Sequence, residues 1–322
     1  MSILSPAEVI KRADAAIADI STGGGKLSTE QASTFIKAVF DQPIALNEIQ
    51  KVKMGAPERE HPKVALGSRL LQAPSGEHTG LSEARRSKPT YSKVTLTSKK
   101  YLGQIFLPME HLTDTVEGGS FVQTLYDIAA KQIAIDASKA LWYGDTVGTW
   151  ADPDDQAFYR LQDGLFKIAT TNTFSHASAA VNDALFGNAV KALPPKYRGD
   201  MSKFRFYMHP NCAQNWRALV ASRSTPGGDA VLGLGGAIPP GGIPPYGSTP
   251  VVAEPTITSS GGVASAMLTY PENVLWGIYQ DVTITRYDRP IEDDVAFCFK
   301  MRMAFAVENE DALVEVTNIL TA

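Results

Sequence analysis

Apolar residues recur at intervals of three and four along SFVQTLYDIAAKQIAIDASKALWYGD, the stretch from Ser120 to Asp145. Val122, Tyr126, Ala129, Ile133, Ala137 and Ala140 form one stripe, and Phe121, Leu125, Ile128 and Ile135 widen it. That spacing predicts an amphipathic helix. Ser120-Phe121-Val122-Gln123 is a capping box at its start, and Gly144 stops it after Tyr143. A helix over 120–143 is about 35 Å long at roughly 1.5 Å per residue, enough to serve as the backbone of a domain. Two shorter helices precede it. Ser5-Pro6-Ala7-Glu8 opens one that runs to Ile20, where Gly23-Gly24-Gly25 breaks the pattern. Ser28-Thr29-Glu30-Gln31 opens another through Phe40, which Pro43 ends. Helices this short do not hold alone. The first 45 residues are therefore expected to be arms that lie on another surface.

A period of two replaces the helical period further on. Tyr91, Lys93, Thr95, Thr97, Lys99 and Tyr101 alternate with Ser92, Val94, Leu96, Ser98, Lys100 and Leu102, which predicts a strand with a thin apolar face. Residues 51–82, with Pro57, Pro62, Pro74, Gly76 and Gly80, read as a long loop with a strand near Val64–Leu71. The two sides together suggest a two-stranded excursion, marginal in water without support. The middle of the chain predicts a helix over 179–193 cut by Pro194-Pro195, a short buried strand at 204–208 and a helix from Pro210 to Val220. The glycine- and proline-rich loop STPGGDAVLGLGGAIPPGGIPPYGSTP follows, over 224–250. Strands are expected at 264–269, 275–278, 282–287, 295–307 and 313–319. Helices and strands are segregated rather than alternating, so the fold class is α+β.

Charge is unevenly placed. The chain of 322 residues has a formal net charge of -4, yet EARRSKPTYSKVTLTSKK, Glu83 to Lys100, carries six basic side chains and one acidic one. A sequence pI near 5.8 argues against general nucleic-acid affinity. Tyr91 and Tyr101 flank the run but lie on one face only, a weak stacking platform. A solvated edge strand guarded by lysines is the plain structural reading. The alternative is a hairpin that lies across an adjacent acidic subunit, where charge complementarity sets register and partner choice. Arg85, Arg86, Lys88, Lys93, Lys99 and Lys100 are then the inter-subunit contacts.

Chemistry finds no foothold. Gly23-Gly24-Gly25-Lys26 continues with Leu27 and lacks the first glycine of a phosphate loop, and Gly233-Leu234-Gly235-Gly236 has no dinucleotide-site context. None of His61, His78, His111, His176 and His209 stands at metal-ligand spacing, and Cys212 and Cys298 have no CxxC partner. His209 reads as a strand-end residue. Asp152-Pro153-Asp154-Asp155 and Glu292-Asp293-Asp294 read as solvated turns, not calcium loops. No catalytic, cofactor or metal site is expected, and no apolar run reaches the about 20 residues of a membrane span. The N-terminus is no secretory signal, because Glu8, Lys11, Arg12 and Asp14 interrupt it.

The order of these elements, with SKKYLGQIFLPMEHLTDTVEGGSFVQTLYDIAAKQIAIDASKALWYGD at its centre, resembles the major capsid proteins of tailed phages, with the Hong Kong 97-type fold. The stretch Phe106-Leu107-Pro108-Met109-Glu110-His111-Leu112-Thr113-Asp114, the helix that follows and Gly144-Asp145 carry the likeness. Residues 277–319 also resemble the family's closing strands. The resemblance implies an N-terminal arm over 1–55 and a peripheral domain over 56–157 and 276–322. An extended loop at about 68–104 and a spine helix at about 120–143 belong to that peripheral domain, and an axial domain spans 158–275. It implies a homo-oligomer of pentamers and hexamers in an icosahedral shell around double-stranded DNA, with no sequence-specific DNA binding and no membrane. Assembly would take place in the host cytoplasm, and the product would be a virion. Separate scaffold, portal and decoration proteins are expected partners, and the chain itself is expected to be uncleaved. Some members crosslink a loop lysine to an asparagine of another subunit, for which Lys88, Lys93, Lys99 or Lys100 would be candidates. The alternatives are an encapsulin-like compartment, which shares the fold, and an enzyme with a scattered active site.

Overall fold

The computed structural model describes residues 43–66, 69–71, 81, 83, 86–110, 121–222, 243–289 and 291–321. The two arm helices expected at 5–20 and 28–40 lie outside them. So do Ser120, residues 111–114 and most of the glycine- and proline-rich loop.

Three sheets carry the chain. The first is four-stranded, in the order β1 (Gln50–Lys53), β9 (Val274–Arg289), β10 (Asp294–Val307), β4 (Lys99–Pro108). A second has five strands, in the order β5 (Thr173–Ala179), β11 (Val314–Leu320), β8 (Val263–Thr269), β6 (Arg205–Met208), β7 (Val251–Ala253). The third is a ribbon of β2 (Glu58–Leu66) and β3 (Pro89–Thr97). The expected helices form as α2 (Phe121–Tyr143), α5 (Asp183–Ala192) and α6 (Pro210–Ala221). Shorter ones are α1 (Ala45–Glu48), α3 (Pro153–Tyr159) and α4 (Leu165–Ile168).

Several expectations need correction. The strand placed near 64–71 is β2 at 58–66, which runs through Pro62. Proline has no N–H to donate and is tolerated where only two strands pair and the outer edges stay open. The single strand over 91–102 is two strands, β3 and β4, broken at Ser98, whose N–H donates to the Pro57 carbonyl at 2.8 Å. Asp152 does not sit in a bare turn: its carboxylate accepts from Asp154 N at 2.8 Å and caps α3, with Pro153 in the first turn. His209 stands at the end of β6, as expected, and its Nδ1 also accepts from Asn211 N at the start of α6. The segments 275–278 and 282–287 are one strand, β9, of 16 residues. The last strand, β11, lies between β5 and β8 in the five-stranded sheet, parallel to one and antiparallel to the other.

Backbone contacts divide the chain into two compact units. One takes 105–131 and 286–297 of the described range, and the other takes 41–104, 132–285 and 298–322. In the smaller unit, Tyr126 meets Phe297 edge to face at 5.7 Å and Met109 N donates to Asp293 O at 2.9 Å. Arg289 lies over the Phe106 ring at 4.4 Å and pairs with Glu292 and Asp294.

The larger unit holds the main cores. On one face of the five-stranded sheet, α5 and α6 bury Leu185, Phe186, Trp216 and Val220 against Phe206, Ala266, Leu268 and Val316. On its other face Tyr207 and Met267 meet Leu141 and Trp142, from the last turn of α2, together with Ile257 and Leu313. The same cluster takes Met301, Met303 and Phe305 of β10. Aromatic and aliphatic burial of this kind contributes about 1.5–3 kcal/mol per side chain.

The C-terminal end of α2 is locked by a close backbone approach. Gly164 N donates to Gly144 O at 2.8 Å, and a Cβ on Gly164 would lie 2.7 Å from Gly144 N and 2.7 Å from Leu141 O. Both neighbours are backbone and cannot rotate away. Gly164→Ala is expected to destabilise the isolated subunit by about 1–3 kcal/mol through overpacking, read as a lower urea midpoint at unchanged slope.

Candidate inter-subunit surface

The ribbon pairs nine residues with nine, from Glu58↔Thr97 to Leu66↔Pro89. Its two faces are unlike. Val94 and Leu96 point to one face, where Leu96 is 1% exposed and packs with Met54, Leu275, Ala304 and Ala306. Lys63, opposite Ser92, shares that face and donates to the Glu308 carbonyl. This inner face is held by the chain's own body. The outer face carries Tyr91 and Val64, directly opposite each other, 75% and 65% exposed. Beside them Lys93 pairs with Glu60 across the strands. Nothing of the described chain covers this face.

The basic run is more nearly neutralised than the sequence suggested. Arg85 lies outside the described residues. Arg86 donates from Nε to the Leu81 carbonyl at 3.1 Å. Lys88 stands 3.9 Å from Glu83, both exposed. The other arm, β2, brings Glu58 and Glu60, which lie outside the 83–100 stretch and become neighbours only when the hairpin closes. Exposed pairs like these contribute about 0–1 kcal/mol. Lys99 and Lys100 make no ion pair among the described residues, and both are exposed. The six residues therefore do not form one patch: Arg86 and Lys88 sit beyond the ribbon's far end, Lys93 on its outer face, and Lys99 and Lys100 on the next strand. Tyr91 and Tyr101 also part company, Tyr91 facing out from β3 and Tyr101 turned into the core.

Sequence reasoning missed two features. One is a cavity of about 320 Å³ walled by Tyr101 and Gly103 of β4, Ile133 and Asp136 of α2, Phe158 of α3, and Met301 of β10. The Tyr101 ring meets Phe158 edge to face at 5.5 Å. Its hydroxyl is buried and has no hydrogen-bond partner among the described residues. Burial pushes that phenol well above its usual range, so it stays protonated and able to donate. Burial also raises the Asp136 carboxyl, against the lowering pull of a hydrogen bond from Gln132 at 2.9 Å and of Lys139. The period-two alternation of 91–102 puts Tyr101 on one face but cannot show that the face is concave.

The second feature is the anchor of the chain's first described turn. Glu254 is fully buried. Its Oε2 accepts from Ile44 N at 2.9 Å and Ala45 N at 2.8 Å, the free donors at the start of α1. Its Oε1 accepts from Thr256 Oγ1 at 2.7 Å, and Thr256 meets Ser138 of α2 at 2.7 Å. Tyr207 donates to Glu48 at the other end of the turn, and burial, before that bond, pushes the Tyr207 phenol far up. The point where residues 1–42 join the body is thus fixed by two carboxylates.

No family model matches the chain. A protein of Bacillus subtilis (strain 168) with the curated name "Putative prophage capsid protein YqbE" is 27% identical over 97% of this chain and 98% of its own length. The capsid of a native GTA particle superposes with a TM-score of 0.65 at 16% identity, covering 94% of this chain and 98% of that one. A Mycobacterium phage Bobi structure gives 0.61 at 16%, over 92% and 97%. The satellite phage P4 procapsid gives 0.60 at 14%, over 98% of each chain. The chain has the Hong Kong 97-type phage capsid fold.

The anchor can be tested on dissociated subunits. Glu254→Ala strands two backbone donors, each costing about 1–3 kcal/mol when unsatisfied, whereas Glu254→Gln keeps an acceptor and should lose less. The expected order of urea midpoints is wild type, then Gln, then Ala, with protease cutting near residues 43–49 rising in the same order.

Proposed function

We propose that this protein is the major capsid protein of a tailed phage or prophage, a structural subunit that self-assembles into pentamers and hexamers of an icosahedral head around double-stranded DNA. The full-length similarity to a protein named as a prophage capsid protein carries the reading. Solved structures with the same fold are phage and GTA capsids, which favours a phage head over a cellular compartment. The role is structural rather than catalytic.

In this reading residues 1–55 are the arm, fixed at its base by Glu254. The peripheral domain takes 56–157 and 276–313, and the axial domain takes 158–275 together with the last strand, 314–320. The β2–β3 ribbon lies across the next subunit and the arm ties neighbours together. Head-to-tail contacts of this kind close into rings. The DNA is enclosed without base-specific contacts, scaffold and portal are supplied by other chains, and the shell forms in the host cytoplasm before release as a virion.

Electron microscopy of the purified protein decides this. Closed shells of uniform size are expected, and a monomer or small soluble oligomer at all concentrations would overturn the reading. Arg86→Glu with Lys88→Glu should lower shell stability at low salt and have less effect at high salt, because exposed charges are screened beyond about 10 Å at 0.1 M.

A further inference from the structure

We propose that the cavity between β4, β10 and α2 of one copy receives Tyr91 from the β2–β3 ribbon of a second copy. This rests on the reading that a neighbour covers the ribbon, and it names the place on that neighbour.

Four observations converge. First, the ribbon has one face tied to its own body, through Leu96 and the Lys63–Glu308 contact, so the Tyr91–Val64 face is the one turned outward. Second, that face concentrates apolar surface. Tyr91 and Val64 stand directly opposite, with Pro62 two residues along from Val64. An aromatic residue held on a paired strand is a low-entropy anchor of the kind that dominates interfaces. Third, the cavity is open and apolar, and its about 320 Å³ is at the lower end of the about 300–1,000 Å³ of ligand sites. That size suits one large side chain better than an extended ligand. Fourth, a polar group on its wall matches the lysine beside that tyrosine. Asp136, on the α2 wall, offers a carboxylate to Lys93, which lies two residues along the strand from Tyr91 on the same face.

The occupant is a second copy because the ribbon's own inner face already faces its own chain. Leu102, 58% exposed on β4, an edge strand of its sheet, also lines the cavity. Filling it would cover that side chain as well.

The test co-assembles Tyr91→Cys chains with Leu102→Cys chains, one of them tagged. Both positions are exposed, and the native Cys212 and Cys298 are buried. Mild oxidation should give a covalent heterodimer of tagged and untagged chains in the particles and none in dissociated subunits. Particles that form without the heterodimer overturn the cavity assignment and leave the shell reading standing. Wild-type protein that forms no particle takes down both. If the cysteine chains fail to assemble where the wild type succeeds, particles mixed from isotopically light and heavy wild-type chains are treated with an amine-reactive crosslinker. Light–heavy links from Lys93 to Lys100 or Lys139 are expected, and their absence overturns the assignment.

Discussion

A two-stranded ribbon can bury only one of its faces against the body from which it extends. The β2–β3 ribbon buries Leu96 and half of Val94 on that inner side, and Lys63 reaches back to the Glu308 carbonyl. Its outer side is left with Tyr91, Val64 and an exposed ion pair, and both its edges are open. In water a hairpin with one such face is marginal. Everything distinctive in this molecule answers that constraint. The rigid part of the chain, three packed clusters around two sheets, needs no help. The outer face of the ribbon has no such cover among the described residues, and a second copy is the cover proposed for it.

The same logic applies where the arm joins the body. Glu254 is buried and held by two backbone N–H groups and a threonine hydroxyl. Leaving any of these donors unmatched is costly, so the turn at 44–49 has one geometry.

How much of this was written in the sequence depends on the range of the interaction. The spine helix was legible because a 3.6-residue stripe and Gly144 are local signals, and α6 because Pro210 marks its start. Of the five-stranded sheet, β6, β8 and β11 were legible as strands, but β5, β7 and the strand order were not. Nothing local to Val314–Leu320 says that it pairs with both 173–179 and 263–269. Strand β2 was misplaced because EREHPKVAL has charges on both faces and a proline within it, the pattern of a ribbon rather than of a half-buried strand. The charge asymmetry of 83–100 was real in sequence and weaker in space, because Glu58 and Glu60 arrive from the other arm. Glu254 and the Tyr101 cavity were invisible, since their partners lie as far as 210 residues away.

The central claim is that the outer face of the ribbon is covered only by another copy. Hydrogen–deuterium exchange on dissociated subunits and on assembled particles tests it directly. Amides of 58–66 and 89–97 should exchange fast in the subunit and slow by more than about tenfold in the particle, while β8 and β11 stay slow in both. Equal exchange of the ribbon in the two states would contradict the account.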